Sequence, residues 1–266
     1  DGLKKRLAGK AEITYARGYV GDASGEYNGV VTGQDLSDNR PAAVILAEAV
    51  KVASEADVVI FIGGLNKADH MDAEGTDREQ YGLPYGQDEL IATLAAARPD
   101  MIFVGVSGSP YAMPWVDKVA GIVQAWYLHS EAGNALADVL TGAVCPSGKL
   151  PFTFPVALED GPIKTEAQYP GIKRENEDIW DAQYSEGIYV GYRWYEAQNV
   201  KPLFAFGYGL SYTTFNYGKA SLHGSISAGQ SEASVRTPGK GSITVSIPVE
   251  NTGDVKGAEV VQLYIK

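Results

Sequence analysis

The sequence is poor in the features that most directly announce a protein's class. It holds one cysteine, Cys145, so no disulfide can form within the chain and cysteine usage leaves the redox compartment open. A small buried thiol is the ordinary fate of such a residue. No apolar run approaches the ~20 residues of a membrane-spanning helix, and residues 1–20 lack the apolar centre of a signal peptide, which leaves open a targeting segment upstream of Asp1. No Asn-x-Ser/Thr glycosylation acceptor occurs. Cations are also scarce: 22 Lys and Arg face 33 Asp and Glu, for a net charge of −11 and a pI near 4.8. Nucleic-acid binding draws its affinity from Lys and Arg on phosphates, so this balance excludes a nucleic-acid partner, and no membrane partner is expected. His70, His129 and His223 are the only histidines.

What the sequence does contain is a globular balance, 45% hydrophobic and 21% charged over 266 residues. Folded chains of roughly 300 residues hide about 75% of their unfolded surface, so a sizeable core is expected: one large domain and part of another. Residues 1–10 read as the end of a helix, with Leu3 and Leu7 four apart and Gly9 as its stop. Residues 11–17 alternate as a short strand, and 18–33 form a glycine-rich loop. Pro41 opens a helix with Ala43, Leu46, Ala47 and Val50 on its apolar face and Glu48, Lys51 and Glu55 opposite. The unbroken run 58–62, VVIFI, is of the kind found in strands covered on both faces. A further helix has the stripe Leu90, Ile91, Leu94 and Ala97, with Asp88 and Glu89 in its first turn. Runs 101–106 and 122–127 read as buried strands. Ser130 reads as the N-cap of a helix carrying Ala132, Leu136, Val139 and Leu140, closed at Gly142. Strands alternating with helices at this spacing imply an α/β fold, a mostly parallel sheet with helices on both faces.

The character changes after Leu150. Residues 156–186 are polar and irregular and 188–217 are rich in Gly and Tyr, which reads as a long surface segment wrapping the domain. Ile243, Val245, Ile247 and Val249 then alternate with polar residues and proline in a half-buried strand that ends at a turn over 251–253, and 259–265 reads as a second strand. Two or three strands cannot close a β-sandwich, which needs about seven. The chain is therefore expected to stop inside a second domain, with boundaries at 1–211 and 212–266.

Charge gathers in DHMDAEGTDR at 69–78, between the strand run 58–62 and the helix that begins near Gly86. That position, beyond the carboxyl end of a strand, is the usual side for ligand crevices in α/β sheets. Asp69, Asp72, Glu74, Asp77 and Glu79 lie close together there. Crowded like charges raise the cost of ionising each member, so one carboxyl can stay protonated and act as a proton donor; the plain alternative is a solvated acidic loop. Asp77 beside Arg78 reads as a charge pair fixing that loop. His70, Asp72 and Glu74 would share one face of an extended segment and could hold a metal, but no HExxH or paired-Cys pattern supports it, and neither metal nor other cofactor is expected.

Two other motifs fail on mechanical grounds. GAVCPSGK at 142–149 spaces its glycines one residue too far apart for a phosphate loop, has Leu150 where Ser or Thr would meet magnesium, and follows a helix instead of a strand. GVSGS at 105–109 has Ser109 where the second glycine of a nucleophile elbow belongs, so a turn is the better reading. Trp115, Trp126 and Trp194 could each stack on a sugar face, although Trp126 sits in an apolar strand pattern and reads as core.

Taken in order, AEGTDR with LPYGQDELI, SGSPYAMPWV, WYLHSEAGNALADVLTG, PSGKLPFTFP, EGIYVGYRWY and PLFAFGYGLSYTTF resemble glycoside hydrolase family 3, and within it the bacterial β-glucosidases. VENTGDVKGAEVVQLYI resembles the start of the fibronectin type III-like domain that follows in many members. The resemblance covers nearly the whole chain. It implies an active site shared between an N-terminal (β/α)8 barrel, which supplies an aspartate nucleophile, and an α/β sandwich domain whose loop supplies the acid/base glutamate. Glu74 matches that glutamate; the barrel and the first sandwich strand would lie upstream of Asp1. The implied function is a retaining exo-β-glycosidase that removes terminal non-reducing β-D-glucosyl residues from a β-glucoside or oligosaccharide, with no cofactor and with Asp72 and Arg78 as substrate-binding neighbours of Glu74. Arg78 would have to face Asp77 and not Glu74, since pairing with Glu74 would favour the carboxylate. This chain alone is expected to be inactive, and the implied location is periplasmic or secreted, with the cytoplasm open. Two departures stand out. Asp72-Ala73 occupies a place where Ser-Gly is frequent, making Asp72 a rival or modulator of Glu74, and Leu128-His129-Ser130 replaces a common Pro-Gly-Gln. The alternatives are a β-xylosidase or exo-β-glucanase of the same family, or a non-catalytic carbohydrate-binding or scaffold module.

Overall fold

A computed structural model of the protein describes residues 1–21, 26–27, 30–31, 37–227, 231–232, 235–236 and 240–264. In chain order its elements are α1 (Gly2–Arg6), β1 (Glu26–Tyr27), β2 (Val30–Val31), α2 (Ala42–Glu55), β3 (Ile60–Gly64), α3 (Gln87–Ala97), β4 (Ile102–Val106), β5 (Gly121–Gln124), α4 (Ala132–Leu140), β6 (Ile172–Lys173), β7 (Trp180–Asp181), α5 (Tyr192–Gln198), β8 (Phe215–Tyr217), β9 (Ser221–Ser227), β10 (Ser231–Glu232), β11 (Val235–Arg236), β12 (Lys240–Ser246) and β13 (Val249–Asn251). The chain divides into two compact units, Asp1–Asp138 with Leu150–Tyr208, and Val139–Lys149 with Gly209–Lys266.

The first unit is built on a parallel sheet in the order β3-β4-β5, with Ile60 beside Ile102 and Ile102 beside Gly121. This is the α/β arrangement that the alternation of apolar runs and helical stripes predicts. The central strand carries the core, because it has a neighbour on each edge. Phe103 and Val104 are fully buried, and Phe103 lies 4.4 Å from Trp115 and 5.8 Å from Phe61 between ring centroids. Helix α3 adds Leu90, Ile91, Leu94 and Ala95. Beyond Leu150, Phe154 is also buried and bridges Phe204. Fully buried Gln87, at the start of α3, accepts from the Gly64 N–H and donates to the Gly64 carbonyl, both at 2.8 Å. It satisfies the end of β3 where the chain, with φ of +132° at Gly64, turns out of the sheet.

Several expectations are corrected here. The α2 face that is buried is Ile45, Ala49 and Ala53, a clean i, i+4, i+8 stripe, while Ala43, Leu46 and Ala47 are exposed. The run 58–62 is not covered on both faces: Ile62 is 54% exposed, and among the described residues β3 is an edge strand. Residues 11–17 form no strand, because extended backbone needs a neighbour to pair with and finds none among the described residues. Thr14 to Gly21 instead borders a groove of about 460 Å³ whose other wall is 58–66, with Tyr85 and Leu94.

In the second unit β8 pairs with β13 and β9 with β12, all antiparallel. The expected single strand over 243–249 is divided at 247–248, since Pro248 has no N–H to give a ladder. Residues 259–264 are not a strand, and Ile265 lies outside the described residues. Lys149 lies 3.1 Å from Glu259 and donates to the Gly209 carbonyl at 2.6 Å.

Candidate functional site

The acidic loop departs from the carboxyl end of β3 and is first closed on itself. The Ala68 N–H donates to Asn66 Oδ1 at 2.9 Å and the Asp72 N–H to the Asn66 carbonyl at 3.0 Å. Further along, the His70 N–H donates to Thr76 Oγ1 at 3.0 Å, and His70 Nδ1 lies 3.2 Å from the Asp77 carbonyl. Residues 70 and 76–77 are thereby tied together, and 71–75 form the tip. Gly75 has φ of +84°, and a Cβ there would meet nothing within 4 Å, so its backbone conformation, not its surroundings, calls for glycine.

Asp72 is turned into the protein. One oxygen, Oδ2, accepts the Gly108 N–H at 2.7 Å and the Tyr127 hydroxyl at 2.8 Å, and Oδ1 accepts the Ser109 hydroxyl at 2.5 Å. Gly108 and Ser109 follow β4 and Tyr127 follows β5, so the loop after β3 is pinned to the loops after its two sheet neighbours. Burial raises the pKa of Tyr127, and the bond to Asp72 raises it further. Arg78 donates to Ser109 Oγ at 3.0 Å and to the Pro110 carbonyl at 2.6 Å, and its guanidinium carbon sits 5.6 Å from the Tyr81 ring centroid. Burial draws its pKa down, with the Asp72 charge pulling the other way. Ser109 is thus donor to Asp72 and acceptor from Arg78.

The expected pairing of Arg78 with Asp77 does not form. Arg78 is taken by Ser109 and Pro110, and Asp77 accepts the Tyr169 hydroxyl. Asp72, Asp77 and Glu79 each engage a different partner, Glu79 lying 3.5 Å from His70 Nδ1. His70, Asp72 and Glu74 do not converge, and no group of three His, Cys, Asp or Glu suited to a metal occurs among the described residues. Glu74 is exposed and meets no hydrogen-bond or ion-pair partner among the described residues. Ser107, in the rejected nucleophile motif, is fully buried and donates to the Ser109 carbonyl at 2.9 Å. Trp115 is core, its indole N–H donating to Asp88 at 2.7 Å, while Trp126 packs on Phe152 and Trp194 donates to the Asp160 carbonyl. The groove beside β3 shares Asn66 with the loop, and none of Asp72, Glu74 or Arg78 lines it.

In the sequence Ser109 stands only as the residue that spoils a nucleophile elbow, Tyr127 as the end of a strand, and nothing singles out Tyr169. The available signal was topological: loops after neighbouring parallel strands emerge on one side of a sheet.

Comparison with known proteins gives a consistent picture. The family model described as "Glycosyl hydrolase family 3 C-terminal domain" matches residues 1–192. Beta-glucosidase BoGH3A of Bacteroides ovatus is 45% identical over 267 residues, which is 100% of this chain and 33% of that protein. Probable beta-glucosidase I of Aspergillus niger is 45% identical over 222 residues, 83% of this chain and 25% of that protein. Among solved structures, beta-glucosidase 3B of Thermotoga neapolitana in complex with glucose aligns with a TM-score of 0.64 at 30% identity, covering 88% of this chain and 30% of that one. DesR, a beta-glucosidase of Streptomyces venezuelae in complex with D-glucose, aligns with a TM-score of 0.62 at 30% identity, covering 80% and 30%. The chain thus spans a quarter to a third of the length of these curated relatives.

Proposed function

Since the chain belongs to glycosyl hydrolase family 3, we propose that it is the acid/base-bearing portion of a retaining, exo-acting β-glucosidase, with Glu74 as proton donor and a nucleophilic aspartate supplied by an N-terminal (β/α)8 barrel of the same protein. The observation that carries this reading is the contrast within the acidic loop. Asp72, Asp77 and Glu79 are engaged, while Glu74, at the tip beyond the carboxyl end of β3, is exposed with both oxygens free among the described residues. A general acid must bring its protonated oxygen within hydrogen-bond reach of the leaving-group oxygen, which an exposed, unengaged carboxyl can do. A retaining glycosidase needs two carboxyl groups about 5–5.5 Å apart. The first protonates the departing aglycone oxygen while the second attacks the anomeric carbon; the first then takes a proton from the water that releases the sugar.

Asp72 and Arg78 are the proposed substrate-binding neighbours. Asp72 already accepts three hydrogen bonds and Arg78 donates two, yet a carboxylate offers about four lone-pair sites and a guanidinium five N–H groups, so each keeps capacity toward a sugar hydroxyl. In the same reading residues 212–266 begin a fibronectin type III-like sandwich, the open edge of β3 takes a further strand from upstream polypeptide, and the enzyme works in the periplasm or outside the cell. Among the described residues no helix is long and apolar enough to cross a membrane.

The test uses protein that carries this chain together with the upstream barrel. Glu74→Ala is expected to slow glucosides with poor leaving groups by about 100-fold or more, to spare activated aryl glucosides in the first step, and to regain turnover with added azide. Equal losses on both substrates without azide rescue would refute the assignment. Sugar affinity in this chain alone, with no dependence on a barrel, would favour a binding module instead.

A further inference from the structure

We propose that Asp72, through Ser109, is a positioning residue that sets where the Glu74 carboxyl points; this rests on the reading of Glu74 as the acid. The two residues are separated only by Ala73, so whatever fixes Asp72 fixes the base of the short tip that carries Glu74. Asp72 is held by three donors from two different loops, at 2.5, 2.7 and 2.8 Å. Such charge-assisted bonds at the short end of the range are about twice as strong as neutral ones. Ser109 then links the two arms of the loop. It donates to Asp72 on the near side of Glu74 and accepts from Arg78 on the far side, while Arg78 is steadied by the Pro110 carbonyl. The result is a ring, Asp72 to Ser109 to Arg78, closed through 73–77. Within the closing segment 73–77, Asp77 accepts from the Tyr169 hydroxyl, which lies outside the ring. Glu74 is the acidic residue of that segment whose side chain has no partner among the described residues. A carboxyl with no bonds of its own takes its direction from backbone, and here the backbone is tied on both sides.

The consequence is a division of labour that a purely sugar-binding Asp72 would not produce. A misplacement of about 1 Å at a reacting group can cost on the order of 100-fold in rate, and the loss falls on the step that needs the proton. With the barrel-containing enzyme, Asp72→Ala and Ser109→Ala are each expected to lower kcat/KM for alkyl glucosides by about 10- to 100-fold. For Ser109→Ala, activated aryl glucosides should stay within about threefold of the parent, a small residue of the same misplacement; Asp72→Ala also loses its sugar contact, so it is read from the ratio of alkyl to aryl losses, which should match that of Ser109→Ala. The alkaline limb of the pH profile, which reports loss of the proton from the acid, should move, Asp72→Asn should be intermediate because its amide oxygen can still accept, and the double variant should lose no more than the worse single one, because both break one unit.

Tyr127→Phe, which removes a single donor to Asp72, gives a milder version should Asp72→Ala fold poorly, and thermal denaturation of each variant reads folding separately. A rise in KM confined to Asp72→Ala, with Ser109→Ala like the parent, would make Asp72 a sugar ligand only and overturn the proposal. So would additive losses in the double variant, or losses equal for good and poor leaving groups. Glu74→Ala is measured alongside. If it shows the leaving-group dependence and the Asp72 and Ser109 variants do not, the positioning role fails alone; if Glu74→Ala shows none, the acid assignment fails and takes this inference with it.

Discussion

The parallel sheet of the first unit and the antiparallel pairs of the second are made from similar residues and end in different states. In β4 the residues Phe103 and Val104 are fully buried, whereas in β9 and β12 Leu222, Ile243 and Val245 are 69%, 45% and 37% exposed. All belong to strands paired along their length with a neighbour. Ladder hydrogen bonds are therefore not what separates the two regions. Burial comes from a second layer, which in the first unit is supplied by α3, the Trp115 segment and the aromatic run around Phe154. A strand pair without such a layer is marginal by itself. The difference teaches that pairing and burial are separate: a strand is covered only where other segments pack over its faces.

The sharpest way to break this comparison is to truncate one side chain in each region. Phe103→Ala removes a fully buried ring packed on Trp115, Phe61 and Tyr111 and is expected to cost about 3–5 kcal/mol, whereas Ile243→Ala should stay within about 0.5 kcal/mol. The four tryptophans, Trp115, Trp126, Trp180 and Trp194, all belong to the first unit, so urea unfolding followed by tryptophan fluorescence reports that unit, and circular dichroism near 215 nm covers both. Equal shifts for the two variants would end the distinction. A smaller effect is expected from Gln87→Leu, which keeps the volume and strips two bonds from Gly64. Leaving a buried N–H and C=O unmatched should lower stability by about 2–3 kcal/mol, read from the same fluorescence transition.

The pattern of apolar runs is enough to read the parallel sheet, because a strand covered by a layer on each face must be apolar along its whole length, and β4 shows that in its own residues. Position within the sheet was not legible. The run 58–62 looks as central as 101–106, yet among the described residues β3 lies at an edge and Ile62 is exposed. Composition picks out the acidic loop, but adjacency in sequence does not give its wiring. Arg78 lies next to Asp77 in sequence and bonds Ser109, 31 residues away, and the donors to Asp72 lie 36, 37 and 55 residues away. Contacts at that separation depend on which strand ends sit side by side, and local pattern does not carry that. The failed strands at 11–17 and 259–264 share one cause: alternation expresses a preference for extended backbone, and a strand exists only when another segment pairs with it.

The smallest expected effect sharpens the comparison by pH. Asp88 lies at the start of α3, where it accepts the Trp115 indole N–H at 2.7 Å and the Leu83 N–H at 3.1 Å. Burial raises its pKa above the ordinary aspartate range, and these two bonds only partly oppose the rise. A carboxyl with a raised pKa in the folded state holds its proton there at pH values where the unfolded chain has already lost it. Stability from this group is therefore complete below the ordinary value of about 3.9 and falls as pH rises through the folded value. Asp88→Asn cannot ionise, so its stability relative to the parent should improve between those two pH values and run parallel above them, whatever constant offset the weakened Trp115 bond adds. Tryptophan fluorescence in urea from pH 3 to 7 measures this directly. A parent and variant that stay parallel throughout would mean that the carboxylate is solvated, and that the layer covering β4 is more open at Trp115 than its 1% exposure implies.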